Sequence, residues 1–286
     1  MTLIRRSHSL AFAVFAFSGV ATIAAPDAKL PDPPVPVVLK VDDLSVRGNG
    51  TVSERWRRIT DFALERKIKL SIGLIAKSLE GDKPAYSAYL KDLQKSGLIE
   101  FWFHGYDHGV HKDGEAGKDY AEFANRPYEE QKRRFEISQK LAVEKLGAPF
   151  TCYGPPGGGN TQASDADWDA STRVMAEDPA MKLWFYPKAL DERGSQLQSA
   201  GKVMILDRVY QVNIEQPLFV PNPEKFIEAY SKHAPGRRYF ILQGHPDQWD
   251  DARWAAFVKL VDYLQANRIP IITPTELAVS LGYSKP

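Results

Sequence analysis

The chain has 286 residues, 43% hydrophobic and 26% charged, with 37 Lys and Arg against 36 Asp and Glu. That composition excludes a disordered chain and allows one large core or two small ones. A near-neutral balance without a basic run gives no ground for expecting nucleic acid as a partner.

Residues 1–24 read as a signal peptide. Arg5 and Arg6 precede an apolar run from Leu10 to Ala25 that ends on small residues. The run is short for a membrane span and no stop-transfer charge follows it. The expectation is therefore cleavage near Ala24, export to the periplasm or the medium, and no span in the mature chain. Cleavage removes two arginines and no acid, so 37 against 36 becomes 35 against 36. Cys152 is the single cysteine; it has no partner for an internal disulfide and is expected as a buried thiol.

Residues 25–36 hold five prolines and predict an extended linker. From Val37 strands and helices alternate. A β-branched strand from Val37 to Val41 ends at Asp42-Asp43, and a helix follows from Val52 to Lys67. The next strand covers Ile68 to Ile75, and a helix from Ala85 to Ser96 stops at Gly97. Leu98 to Phe103 is a strand whose three final aromatics suit burial on both faces, and it ends at His104. The stretch from Val110 to Arg126 is longer than most connections, a candidate lid or binding loop. A helix from Pro127 to Leu146, closed by Gly147, leads to a strand at Phe150 to Tyr153 and then to Gly154-Pro155-Pro156-Gly157-Gly158-Gly159. Further on come a helix from Asp165 to Glu177, strands at Leu183 to Tyr186 and Val203 to Leu206, and a helix from Pro223 to Lys232. A strand from Tyr239 to Leu242 runs into Gln243-Gly244-His245-Pro246; a helix from Trp249 to Asn267, a last strand at Ile269 to Ile272 and a short helix from Thr275 complete the pattern.

Seven or eight such units, without a glycine-rich dinucleotide fingerprint, predict an α/β chain with residues 37–286 folded as one irregular (β/α)7-8 barrel. Asp42-Asp43, His104, the Pro-Pro-Gly stretch and His245 all follow the C-terminal ends of strands, the face on which barrel enzymes carry their chemistry. His104 and His108 stand four apart, a spacing that lets two imidazoles share a cation and that also fits two exposed loop histidines. Asp-Asp after a strand serves equally as a cap or a solvated turn, and a lone His245 as a satisfied loop residue. Together, two histidines and one carboxylate make a catalytic rather than structural metal site, beside which a second carboxylate can act as general base and a distant histidine as general acid. A two-histidine iron oxygenase usually draws its His-x-Asp/Glu pair from a jelly-roll strand, and the alternating strands and helices of this chain do not read as a jelly roll.

Val38-Leu39-Lys40-Val41-Asp42-Asp43, His104-Gly105-Tyr106-Asp107-His108, Tyr153-Gly154-Pro155-Pro156-Gly157 and Leu242-Gln243-Gly244-His245-Pro246 resemble, in order and spacing, the motifs of the polysaccharide deacetylase (NodB-homology) family. The resemblance runs from about Val37 to Leu277. It implies a barrel enzyme that removes acetyl groups from acetylated oligo- or polysaccharide with a divalent ion, Zn2+ in the first place. Asp43, His104 and His108 are then the implied metal ligands, Asp42 the base, His245 the acid and the Gly157 N–H the oxyanion donor. The alternative is a carbohydrate-binding protein on the same barrel that no longer turns over. The family's arginine before Pro-Pro, which tethers the base, is here Gly154; Arg208 is the candidate substitute. Trp184 and Tyr186 could stack on sugar or pack in the core, and Trp249 and Trp254 are read as packing residues.

Overall fold

The computed structural model describes residues 30–111, 120–123, 126–156, 165–187, 189–200 and 203–283. The signal-peptide expectation for residues 1–24 and the oxyanion expectation for Gly157 lie outside the described residues.

Nine strands are described: β1 (Val37–Leu44), β2 (Leu70–Leu74), β3 (Ile99–Phe103), β4 (Val110–His111), β5 (Tyr120–Ala121), β6 (Cys152–Tyr153), β7 (Leu183–Phe185), β8 (Met204–Leu206) and β9 (Phe240–Gly244). Seven pair in the order β8-β7-β6-β3-β2-β1-β9, every ladder parallel, and the sheet curls into an incomplete barrel. The helices are α1 (Glu54–Arg66), α2 (Pro84–Lys95), α3 (Tyr128–Leu146), α4 (Asp165–Glu177), α5 (Glu192–Ala200), α6 (Pro223–His233), α7 (Asp251–Ala266) and α8 (Pro274–Ser280). Ends are set locally. Ser53 caps α1 by accepting the Trp56 N–H, and Gly147 closes α3 in the left-handed region.

Between β8 and β9 no ladder forms among the described residues, and side chains bridge the gap. Tyr239 Oη accepts the Asp207 N–H at 3.1 Å and donates to Asp207 Oδ1 at 2.6 Å, while Asn213 Oδ1 accepts the Gln243 N–H. The strand expected at Ile269 to Ile272 is reduced to one bridge, Val37 to Ile271. Pro270 offers a carbonyl but no N–H, which keeps a ladder from growing there. Helix α5 was not expected, and the long connection after His108 carries the small antiparallel pair β4–β5.

Alternation along each strand sorts the core in two. One side faces the helices and buries Trp56, Phe103, Tyr153, Trp184 and Tyr186, so the last two are core residues and not a sugar platform. The other fills the barrel with Val38, Trp102, Cys152, Leu183, Phe185, Leu206 and Ile241, closed below by Leu277 and Ala278 of α8. The inward residues of β1 therefore run Val38, Lys40, Asp42, from an apolar floor to a charged mouth. Trp102 occupies the middle layer so fully that a Cβ at Gly73 would lie 2.5 Å from its ring, and one at Gly154 would also run into it.

Candidate active site

On a regular strand Asp42 and Asp43 would face opposite ways. The β1–β2 register runs Val41↔Ile72 and then Leu44↔Leu74, so β1 carries one extra residue, and Asp43 has φ 77°. This bulge turns the strand at its end and lets both carboxylates reach the mouth. Asp43 Oδ1 lies 3.0 Å from His104 Nε2 and 3.2 Å from His108 Nε2. One ligand-capable atom from each of Asp43, His104 and His108 lies within 4.8 Å of the others. His104 Nδ1 meets the Gly154 carbonyl at 2.8 Å. Because a carbonyl only accepts, Nδ1 carries the proton and Nε2 turns its lone pair on the cluster. Lone pair and carboxylate repel unless a cation or a proton sits among them, so this donor set fits a divalent ion of the zinc type.

The loop carrying His108 is braced from behind. Glu122, buried, accepts the N–H groups of Tyr106, Asp107 (3.1 Å) and His108 (2.8 Å). Gly105 has φ 80°, and a Cβ there would fall 2.6 Å from Glu122 Oε2, so glycine is required. Arg134 of α3 pairs with Asp107 at 3.1 Å.

Asp42 is almost wholly buried and sits between two imidazoles, 4.0 Å from His104 Nε2 and 3.9 Å from His245 Nε2. Lys40 Nζ contacts both its oxygens, at 2.6 and 2.7 Å, and Gln243 Nε2 donates to Oδ2 at 2.6 Å. The cation touching the carboxylate is thus Lys40, not Arg208, which reaches Asp42 only through Gln243. Lys40 Nζ rests 4.4 Å above the Trp102 ring, the same indole that excludes a side chain at Gly154. Burial pushes the Asp42 carboxyl up, but Lys40, His104 and His245 outweigh it and leave it below the ordinary value. Burial likewise pushes Asp43 up, and a proton shared with its two imidazole partners in place of a cation brings it well below.

His245 donates from Nδ1 to Glu215 Oε2 at 2.7 Å. Glu215 also accepts the His245 N–H and Trp249 Nε1, both at 2.7 Å, and the Phe219 N–H at 3.0 Å. Burial lowers the imidazole's affinity for its proton, while Glu215 and Asp42 raise it above the ordinary value on balance. The cavity over these groups has a volume of about 380 Å³, with Phe185, Pro187, Tyr210, Leu218 and Phe219 among its walls.

Sequence reasoning brought Asp42, Asp43, His104, His108 and His245 to this mouth, and the fold gathers all five there. It missed Lys40, Glu122, Glu215 and Gln243. Lys40 alone left a signal, a lysine two positions before Asp42 inside an otherwise apolar strand.

No protein-family model and no curated protein sequence matches the chain. Solved structures do. A family 4 acetyl xylan esterase from Clostridium thermocellum, in complex with a cobalt ion, superposes with TM-score 0.55 at 14% identity, covering 87% of this chain and 92% of that one. The Xyl-CE4 domain of a multidomain xylanase from the hindgut metagenome of Trinervitermes trinervoides gives 0.52 at 12%, covering 88% and 93%. A mutant peptidoglycan deacetylase from Bacillus subtilis gives 0.51 at 13%, covering 90% and 94%. At such identities the likeness is one of fold.

Proposed function

We propose that the protein is a metal-dependent hydrolase that removes acetyl groups from acetylated carbohydrate. The observation that carries this reading is the opposition of Asp42 and His245 across a mouth where Asp43, His104 and His108 converge. A pure binding site has no use for a carboxylate drawn toward its ionised form 3.9 Å from an imidazole drawn toward its protonated form. Fold likeness to an acetyl xylan esterase and a peptidoglycan deacetylase supports the same class.

Asp43, His104 and His108 would hold the ion. When bound, a divalent ion polarises the acyl carbonyl and makes water more acidic. Asp42 takes the proton of the attacking water, with Lys40 and Gln243 fixing the carboxylate so that it turns to neither side. His245 then gives its Nε2 proton to the departing amine or alcohol, its ring fixed by Glu215 through Nδ1. Charge develops at the acyl oxygen only in the transition state, so donors placed there act on rate more than on binding; the Gly157 N–H is proposed as one of them. Export by way of residues 1–24 belongs to the same proposal, and N-terminal sequencing of the extracellular or periplasmic protein tests it.

The test is metal content together with acetate release from a panel of N- and O-acetylated oligosaccharides, for wild type, Asp42→Asn and His108→Ala. Release that depends on metal and falls in both variants is expected. Bound metal with no release from any member would make the protein a binder; no metal in the wild type would end both readings.

A further inference from the structure

Arg208 follows β8 and points inward at the level of the mouth, with only 5% of its surface exposed. Its Nη1 donates to Gln243 Oε1 at 2.7 Å. Its other two nitrogens, Nε and Nη2, have no hydrogen-bond partner among the described residues and are shielded from solvent. Two acids act on this cation through space, Asp42 and Glu215. Both are committed elsewhere. Asp42 takes Lys40 and Gln243, and Glu215 takes the backbone and ring of His245, Trp249 and the Phe219 N–H. A buried guanidinium whose hydrogen-bond partner among the described residues is a neutral amide lacks the contacting carboxylate a buried charge calls for, a costly arrangement for a fold to keep.

Tethering the base does not explain it, because Lys40 already holds both oxygens of Asp42. The geometry of the unpaired atoms is more informative. Nε–H and one N–H of Nη2 lie on the same edge of the planar group, parallel and spaced to meet the two oxygens of one carboxylate. That edge belongs to a residue lining a 380 Å³ cavity beside the proposed reacting groups, a size that suits one sugar residue with its acyl group. Tyr210, 63% exposed, sets its ring 5.9 Å from the guanidinium carbon on the wall of the same cavity.

We propose that Arg208 anchors a carboxylate carried by the substrate, so that the acetylated sugar is an acidic one, of the aminouronic or carboxyalkyl-ether type. The inference rests on the deacetylase reading for its substrate and on the unpaired guanidinium edge for its charge. Arg208 binds and does not react: the carboxylate docks side-on against Nε and Nη2, and the acyl group is carried toward Asp42 and His245.

The test compares metal-loaded wild type, Arg208→Gln and Arg208→Lys on neutral chitotetraose and on a matched oligomer of 2-acetamido-2-deoxyglucuronic acid. Wild type is expected to show a KM lower for the acidic oligomer by about tenfold, the scale of one or two net charge-assisted hydrogen bonds. In Arg208→Gln that preference falls to about onefold through KM, with kcat on the acidic oligomer changing less; Arg208→Lys retains charge without the fork and keeps a part of it. Should Arg208→Gln fail to fold, as read by circular dichroism, the Lys variant carries the comparison. Acetate release from both oligomers with equal KM in wild type overturns the inference and leaves the deacetylase reading intact. Loss of inhibition by free acetate in the variants without any change in substrate preference also overturns it, making Arg208 a product site. If neither oligomer is hydrolysed, the wider panel decides the deacetylase reading, and calorimetric titration with the monomeric acidic and neutral sugars decides the inference alone. Preference for the acid that is lost in Arg208→Gln upholds the carboxylate site, and equal affinity removes it.

Discussion

Replacing Lys40 by methionine keeps the length of the side chain and removes its charge from the middle layer of the barrel. In the native arrangement the ammonium meets both Asp42 oxygens at 2.6 and 2.7 Å, and neither residue is more than 4% exposed. Removing one member of a buried ion pair leaves the other uncompensated, at about 3–5 kcal/mol. For a domain of this size about 1 kcal/mol moves Tm by 2–4 °C, so thermal unfolding followed by circular dichroism should show a fall of about 10 °C. Asp42 escapes part of this by taking up a proton, which disables it as a base. Acetate release from the best substrate should then drop by about 100-fold or more. The double variant Lys40→Met/Asp42→Asn separates the pair from the packing. It should be less destabilised than the two single changes combined by about 2 kcal/mol, because the second change removes the stranded charge. Lys40→Met within about 0.5 kcal/mol of wild type, with turnover within about twofold, would refute the reasoning and reduce Lys40 to a filler above Trp102.

A metal taken up by Asp43, His104 and His108 stabilises the folded chain by about 2.7 kcal/mol at a hundred times its Kd; zinc or cobalt should raise Tm in wild type and leave Asp43→Ala unmoved. Glu215→Gln removes the charge that fixes the His245 proton, so kcat should fall by about tenfold or more while the basic limb of the pH–rate profile shifts to lower pH. Gly154→Ala drives a methyl group into the Trp102 ring; unfolding should show about 1–3 kcal/mol of overpacking, relieved in the double variant with Trp102→Leu. Asp207 is raised by burial but lowered further by Arg237 and Tyr239, so its folded carboxyl is more acidic than its unfolded one. The unfolded chain therefore binds more protons, and the stability this group contributes is full at neutral pH and is lost as pH falls below the ordinary value of 3.8. Asp207→Asn should destabilise by about 2 kcal/mol at pH 7 and progressively less below that value, as measured by urea unfolding.

What could be read before folding was whatever has a local period. Alternation of apolar runs gave the strands, and Gly147 gave the end of α3 where it is observed. Placement of Asp42-Asp43, His104 and His245 after strands followed at once, because parallel strands all end on one face. The Ile269 to Ile272 strand failed where a proline withheld its N–H, and α5 passed unread because Gly194 and polar residues blur its apolar face.

Alternation along β1 sets Lys40 on the same face as Asp42, but the other partners of those residues depended on register and strand order, which no local period encodes. Lys40 becomes the cation of Asp42 because Trp102, arriving from β3, fills the space beside Gly154 and leaves the ammonium a place above its ring. Glu215 and Asn213 enter the site because β8 and β9 do not pair and the chain between them crosses the gap. Arg208 is set free by the same substitution, since the carboxylate it was expected to hold is already held. The amino-acid order by itself determined which chemistry stands at the mouth of the barrel. Only the closure of the sheet brought His104, Gln243 and His245 to Asp42, because those contacts are made across the barrel, whereas Lys40 and Asp42 meet along one face of β1.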